Sequence, residues 1–206
     1  MKNKLILFDW GNIVESYTLG YASPDAFLEL FKRCGYKGND DIFSKITKYN
    51  LSVVSTFEEF DKKYNILARD FGLDVSSLEF IEIYKKVLSN VYYFKDVVEY
   101  EHSLKNKCYI GILSNILFFD RDRLNKQVDL SKYDYVFLSF EMGLRKPDRK
   151  IYEEINRIVP FKPENILLID DKLENIEMAS KFGWDTLVST GLDLEKIKQK
   201  CEEFLK

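Results

Sequence analysis

The chain has 206 residues, 46% hydrophobic and 32% charged, a composition that suits a folded protein with a sizeable core and excludes a disordered or fibrous one. Its 31 basic and 34 acidic residues leave a net charge of -3, so nothing in the charge balance calls for nucleic acid or an anionic membrane as a partner. Three scattered cysteines, Cys34, Cys108 and Cys201, make no disulfide framework, and the apolar run after Lys2 and Lys4 ends too early for a secretory signal or a membrane span, so the expectation is a cytoplasmic protein.

Leu5, Ile6, Leu7 and Phe8 form a short apolar run of the kind buried on both faces of a parallel sheet. The run leads straight into Asp9 and a glycine turn, Trp10-Gly11-Asn12, which places Asp9 at a strand's carboxyl end, where open α/β sheets bind ligands. A polar and aromatic connection follows from Glu15 to about residue 22. Ser23 and Pro24 then read as the N-cap and first position of a helix that carries Phe27, Leu28, Leu30 and Phe31 on one face and stops at Gly35. A second helical stretch covers 40–50. Thr56 and Glu59 form a capping-box signature ahead of Phe57, Phe60, Tyr64, Leu67, Ala68 and Phe71 at helical spacing. A fourth helix covers 77–90. Some seventy residues without a strand are too many for an ordinary crossover, so the pattern predicts a four-helix insert at 16–91, with 1–15 and 92–206 forming the main domain.

From residue 95 helices and strands alternate. Helices are predicted at 97–104, 120–127, 149–159, 174–182 and from 193 onward, and strands at 108–113, 135–138, 166–169 and 186–188. This order predicts an α/β fold, a doubly wound parallel sheet with helices on both faces. The single histidine, His102, follows Glu101 on a helix expected at the surface, which leaves little room for His-based catalysis.

Four strand ends or post-strand loops carry polar side chains: Asp9, Ser114 with Asn115, Lys146, and Asp170 with Asp171. A doubly wound sheet brings such positions to one edge. Each also has an ordinary reading, as a helix cap or a solvated charge. Two adjacent aspartates after four buried aliphatics repel each other unless a cation is near, and either a magnesium ion shared with Asp9 or Lys146 would offset that repulsion.

The chain resembles the haloacid dehalogenase-like hydrolases over nearly all its length. The resemblance rests on four motifs in order: Asp9 with its glycine turn, Leu113-Ser114-Asn115, Arg145-Lys146-Pro147-Asp148, and Ile169-Asp170-Asp171 with Asn175. It implies a Rossmann-like core with a helical cap and a Mg2+-dependent phosphatase acting on a small organic phosphate, sugar phosphates foremost, through an aspartyl-phosphate on Asp9. It further implies metal ligands at Asp9, the Gly11 carbonyl, Asp171 and Asp170 (the last as a ligand or an outer partner), phosphate binding by Ser114, Asn115 and Lys146, and a supporting Asn175 on the same helical face as Asp171. One position departs from the pattern. Most phosphatases of this family place a second aspartate two residues after the nucleophile as general acid and base, and here that position is Gly11; Glu15 is the substitute nearest in sequence. Two rival readings remain: a metal-independent 2-haloacid dehalogenase, which the acidic pair argues against, and a binding or regulatory protein on the same fold.

Overall fold

The computed structural model describes residues 2–16, 24–87 and 91–206. Its centre is a five-stranded parallel sheet of β1 (Leu5–Phe8), β4 (Tyr109–Ser114), β5 (Tyr135–Leu138), β6 (Ile166–Asp170) and β7 (Asp185–Val188), in the order β5-β4-β1-β6-β7. β1 lies in the middle, with Phe8 in register with Ile112 on one side and Ile169 on the other. The chain builds outward through β4 and β5, then crosses back to lay β6 and β7 on the other side. That reversal makes a switch point at the carboxyl ends of β1, β4 and β6.

The sheet is covered on both faces. Ile6, Phe8, Ile110, Ile112, Leu167 and Ile169 point into one apolar layer, which α5 (Lys95–Ser103) and α10 (Leu194–Leu205) complete with Val97, Val98, Ile197, Cys201 and Phe204. Leu5, Leu7, Leu113, Ile166 and Leu168 point into the other, against α8 (Arg149–Ile158) and α9 (Leu173–Lys181). The strand alternation of side chains produces this division directly. Gly111 permits close contact between strands: a Cβ there would lie 2.8 Å from the Tyr135 carbonyl and 2.9 Å from Leu7.

Between β1 and β4 lies a helical unit of α1 (Pro24–Arg33), α2 (Ile42–Ile46), α3 (Phe57–Phe71) and α4 (Ser77–Val87) around a separate core that includes Leu30, Phe31, Phe60, Tyr64, Leu67, Phe80 and Tyr84. The stretch expected as one helix at 40–50 is a single α-helical turn followed by two 3-10 turns, because Asn50 adopts a left-handed conformation, φ 51°, between them. At α3 the Thr56 hydroxyl caps the Glu59 amide at 3.3 Å, while the Glu59 carboxylate accepts from the Ser55 amide rather than closing a reciprocal box on Thr56. Ser23, the expected first cap, and residues 88–90, the expected end of the fourth helix, lie outside the described residues.

Three features add to the predicted pattern. Glu15 and Ser16 (β2) pair antiparallel with Tyr92 and Tyr93 (β3), a two-stranded ribbon where the chain leaves and re-enters the sheet domain. A short helix, α7 (Ser139–Met142), follows β5, and the Ser139 hydroxyl donates to the Ser52 carbonyl of the insert at 2.6 Å. The helix α6 (Arg121–Gln127) is preceded by a 3-10 turn whose Phe119 ring meets Phe60 of the insert edge-on at 5.3 Å. The α5 helix is not a surface helix throughout: Glu101 is completely buried, and its Oε2 accepts from the Tyr133 hydroxyl while Oε1 has no hydrogen-bond partner among the described residues.

Candidate active site

Asp9 leaves β1 in line with the sheet, its amide donating to the Ile169 carbonyl at 2.9 Å, and its Oδ1 accepts from the Trp10 amide at 2.7 Å. Lys146 arrives from the loop between β5 and α8, and its Nζ lies 3.0 Å from Asp9 Oδ1 and 2.5 Å from Asp170 Oδ2. Lys146 is 1% exposed, so this ammonium is a fixed charge inside the protein. Burial works against its protonated form, but Asp170 and Asp9 outweigh that effect and raise its pKa.

The three carboxylates divide into two kinds. Asp170, completely buried at the end of β6, is saturated. Its Oδ1 accepts from the Lys172 amide and the Asn175 side chain, and its Oδ2 from Asn175 and Lys146. Asp9 and Asp171 are not: among the described residues no hydrogen bond occupies Asp9 Oδ2 or Asp171 Oδ1. Asp9, Asp170 and Asp171 each offer an oxygen such that all three lie within 4.8 Å of one another, a donor set of hard oxygens that fits a small divalent cation. Burial pushes the Asp9 carboxyl up to about 7, with Lys146 pulling the other way and the charges of Asp170 and Asp171 adding to the rise. Asp171 is raised by burial and by Asp170, against the bond it accepts from Asn12.

Every residue singled out in the sequence comes to this edge. Ser114 ends β4, 4% exposed, and Gly11 lies in the turn after Asp9; both line the same cavity. Asn115 does something the sequence did not signal. Its side chain grips the backbone of Lys146 from both sides, accepting from the Lys146 amide at 2.9 Å and donating to its carbonyl at 2.7 Å. Asn175 reaches Asp170 rather than sharing a helical face with Asp171, because α9 begins only at Leu173 and Asp171 precedes it. Asn12 was visible only as a turn residue. With φ at 59° it turns its side chain to donate to Asp171 Oδ2 at 2.9 Å, and its carbonyl accepts from the Gly191 amide at 2.7 Å.

Glu15 is not placed to act as an acid. It is 2% exposed and its two carboxylate oxygens accept from the Arg123 guanidinium, which also bonds Asp120 at 3.3 Å. Asp120 in turn accepts from the Tyr84 hydroxyl of α4 at 2.5 Å, so this polar chain ties the insert to the sheet domain. A cavity of about 180 Å³ opens between the strand ends and the insert, with Asp9, Ser114, Lys146 and Asp171 at one end and rings of the insert at the other.

A parallel sheet with a lysine and three carboxylates gathered at its switch point defines an α/β enzyme core with its ligand site at the strand ends. The chain belongs to the haloacid dehalogenase-like hydrolase family, whose model matches residues 6–189. Its fold is shared with a predicted HAD-like family hydrolase from Porphyromonas gingivalis, at 23% identity and a TM-score of 0.71 over 97% of this chain and 98% of that one. A HAD family enzyme from Bacteroides thetaiotaomicron, an Asp-to-Ala mutant in complex with magnesium and inorganic phosphate, superposes at a TM-score of 0.70 and 19% identity over 91% of this chain and 94% of that one. A sesquiterpene phosphatase of Aspergillus oryzae is 32% identical over 71 residues, which is 34% of this chain and 34% of that protein. The chain spans about a third of the length of the curated relatives it matches.

Proposed function

We propose that this hydrolase is a Mg2+-dependent phosphatase of small organic phosphate monoesters, with Asp9 as nucleophile and residues 16–91 as a cap over the site. One observation carries the reading: Asp9 Oδ2 and Asp171 Oδ1 are left open beside a buried lysine, in a donor set whose third member, Asp170, is already saturated. Asp9, Asp171 and the Gly11 carbonyl would hold the cation, with Asp170 fixing Lys146 from behind. When bound, Mg2+ neutralises the charge of a phosphate dianion and so lets a carboxylate approach it.

The residues of the chain do the rest. Lys146, held by Asn115 and Asp170, presents a fixed positive charge to the phosphoryl oxygens, and its value rises as charge spreads in the transition state. Ser114 and the Asn115 amide donate to the same oxygens. An oxygen of the Asp9 carboxylate forms a bond to phosphorus as the ester oxygen leaves with the bonding electrons and takes a proton from water. A second water attacks the phosphorus of the aspartyl-phosphate, releasing phosphate and restoring the Asp9 carboxylate. The HAD enzyme from B. thetaiotaomicron crystallised with magnesium and phosphate, and the sesquiterpene phosphatase, support the reaction class. The dehalogenase reading has no use for a shared cation donor set.

The test is phosphate release from a panel of esters with Mg2+ and with EDTA, for the wild type and Asp9→Asn. Metal-dependent turnover that disappears in the variant is expected; halide release from 2-haloacids indifferent to EDTA would overturn the proposal.

A further inference from the structure

The two ends of the cavity differ in chemistry. Beyond the phosphate end, its wall is built from Phe27, Phe43, Ile46, Leu51, Tyr84 and Leu117. Phe27 meets Phe43 edge-on with centroids 5.2 Å apart and Tyr84 at 6.4 Å, so the three rings pack together as one side of a slot rather than as a scatter. Of the polar groups that border this wall, the Tyr84 hydroxyl donates to Asp120, and Arg123 bonds both Asp120 and Glu15. The Lys172 ammonium sits over the Phe43 ring, 4.2 Å from its centroid. A sugar entering here would bury hydroxyls against rings, a loss that a hydrocarbon group avoids.

A second, independent observation concerns the leaving group. Among the described residues no carboxylic acid or imidazole stands free on the apolar side to protonate a departing oxygen, since Glu15 and Asp120 are both bound by Arg123. Nor does the backbone force this at position 11. Gly11 has no left-handed φ, and a Cβ added there would meet nothing within 4 Å, so an acid would fit. A phenolate, with a conjugate-acid pKa of about 10 as in tyrosine, departs without one far more readily than an aliphatic alkoxide.

We infer that the substrate is an aryl phosphate monoester, its single ring held in the Phe27-Phe43-Tyr84 slot while Asp9 faces its phosphorus. This rests on the phosphatase reading and deepens it. In the step it adds, the P–O bond to the ring oxygen breaks, the phenolate leaves with the electron pair, and water supplies its proton.

The experiment compares phenyl phosphate with glucose 1-phosphate and glycerol 1-phosphate, by turnover of the wild type and by calorimetric binding to Asp9→Asn in Mg2+. The expected result is a kcat/KM for phenyl phosphate about 10²-fold or more above the other two, a ratio that Phe27→Ser or Phe43→Ser collapses. Equal or better turnover of either polyhydroxy ester overturns the aryl assignment and leaves the phosphatase standing. If no ester turns over, the phosphatase reading fails and binding decides: tighter binding of phenyl phosphate, weakened by Phe27→Ser, sustains the slot, whereas equal binding of glucose 1-phosphate, or no binding of either, overturns it.

Discussion

The strand-end cluster and the cap slot face each other across one cavity, and they are built on opposite rules. At the strand ends Lys146 and Asp170 are each fixed by several partners: Lys146 by Asp9, Asp170 and the Asn115 clamp, Asp170 by Lys146, Asn175 and the Lys172 amide. In the slot the contacts are between rings, without direction beyond their edge-on packing. Under the proposed function the contrast separates two tasks. Charge stabilisation in a transition state needs groups that do not reorganise, whereas selection of an apolar group needs shape and the exclusion of water.

The largest effect should come from removing the Asp9 carboxylate, the proposed nucleophile. Asp9→Asn is expected to lower turnover by at least ~10⁴-fold in a phosphate-release assay while leaving the circular dichroism spectrum unchanged. Lys146→Met should cost about 10²–10³-fold in kcat and also destabilise the fold by roughly 3–5 kcal/mol in urea titrations, since it leaves the Asp9 and Asp170 carboxylates buried without a cation. If that variant loses activity but no stability, the strand-end cluster is less tightly built than its bonds state. On the cap side, Phe80→Ala, at a ring 3% exposed in the core of the insert, should cost about 3–5 kcal/mol by the same titrations, through a cavity and not through charge.

Glu101 offers the sharpest contrast with Asp170, being equally buried with no cation beside it. Burial raises its carboxyl from 4.5 to about 8, against the bond from Tyr133. The folded protein therefore holds a proton that the unfolded chain has released, and stability should fall as pH rises from about 4.5 to 8 and level off above. The slope is at most ~1.4 kcal/mol per pH unit. Glu101→Gln should flatten it and be the more stable protein at pH 8 in urea titrations; a wild-type profile with the same slope as the variant would show that water reaches this carboxylate. The smallest expected effect is at Asn115→Ala, where loss of the clamp should lower kcat several-fold at unchanged melting temperature, because Lys146 keeps its two carboxylates.

Much of this was legible in the sequence where chemistry and local pattern coincide. Four apolar residues ending in Asp9, and four more ending in Asp170 and Asp171, located both central strands and their charged ends, and the long strandless stretch located the insert. Contacts between distant residues left no such trace. The Asn115 clamp joins positions 31 apart and the Glu15–Arg123 pair 108 apart, and no spacing rule reports either. The ribbon of β2 and β3 is two residues long on each side, too short for alternation to register. Glu101 is different: Val97, Val98, Glu101 and Leu104 share a helical stripe, so its burial was written in the spacing, and the charge of the residue hid it.

The central position of β1 also has a consequence for how the chain is made. Its apolar side chains leave the ribosome well ahead of their pairing partners, β4 and β6, which begin only at Tyr109 and Ile166, and the turn holding Asp9 gains its last bond, to the Gly191 amide, later still. The helical insert, with a core of its own, can collapse as soon as it emerges, since its contacts are local. The helical insert is thus the element that can form during translation, and Asp9 is housed only after the strands and the Gly191 turn that follow it have been made.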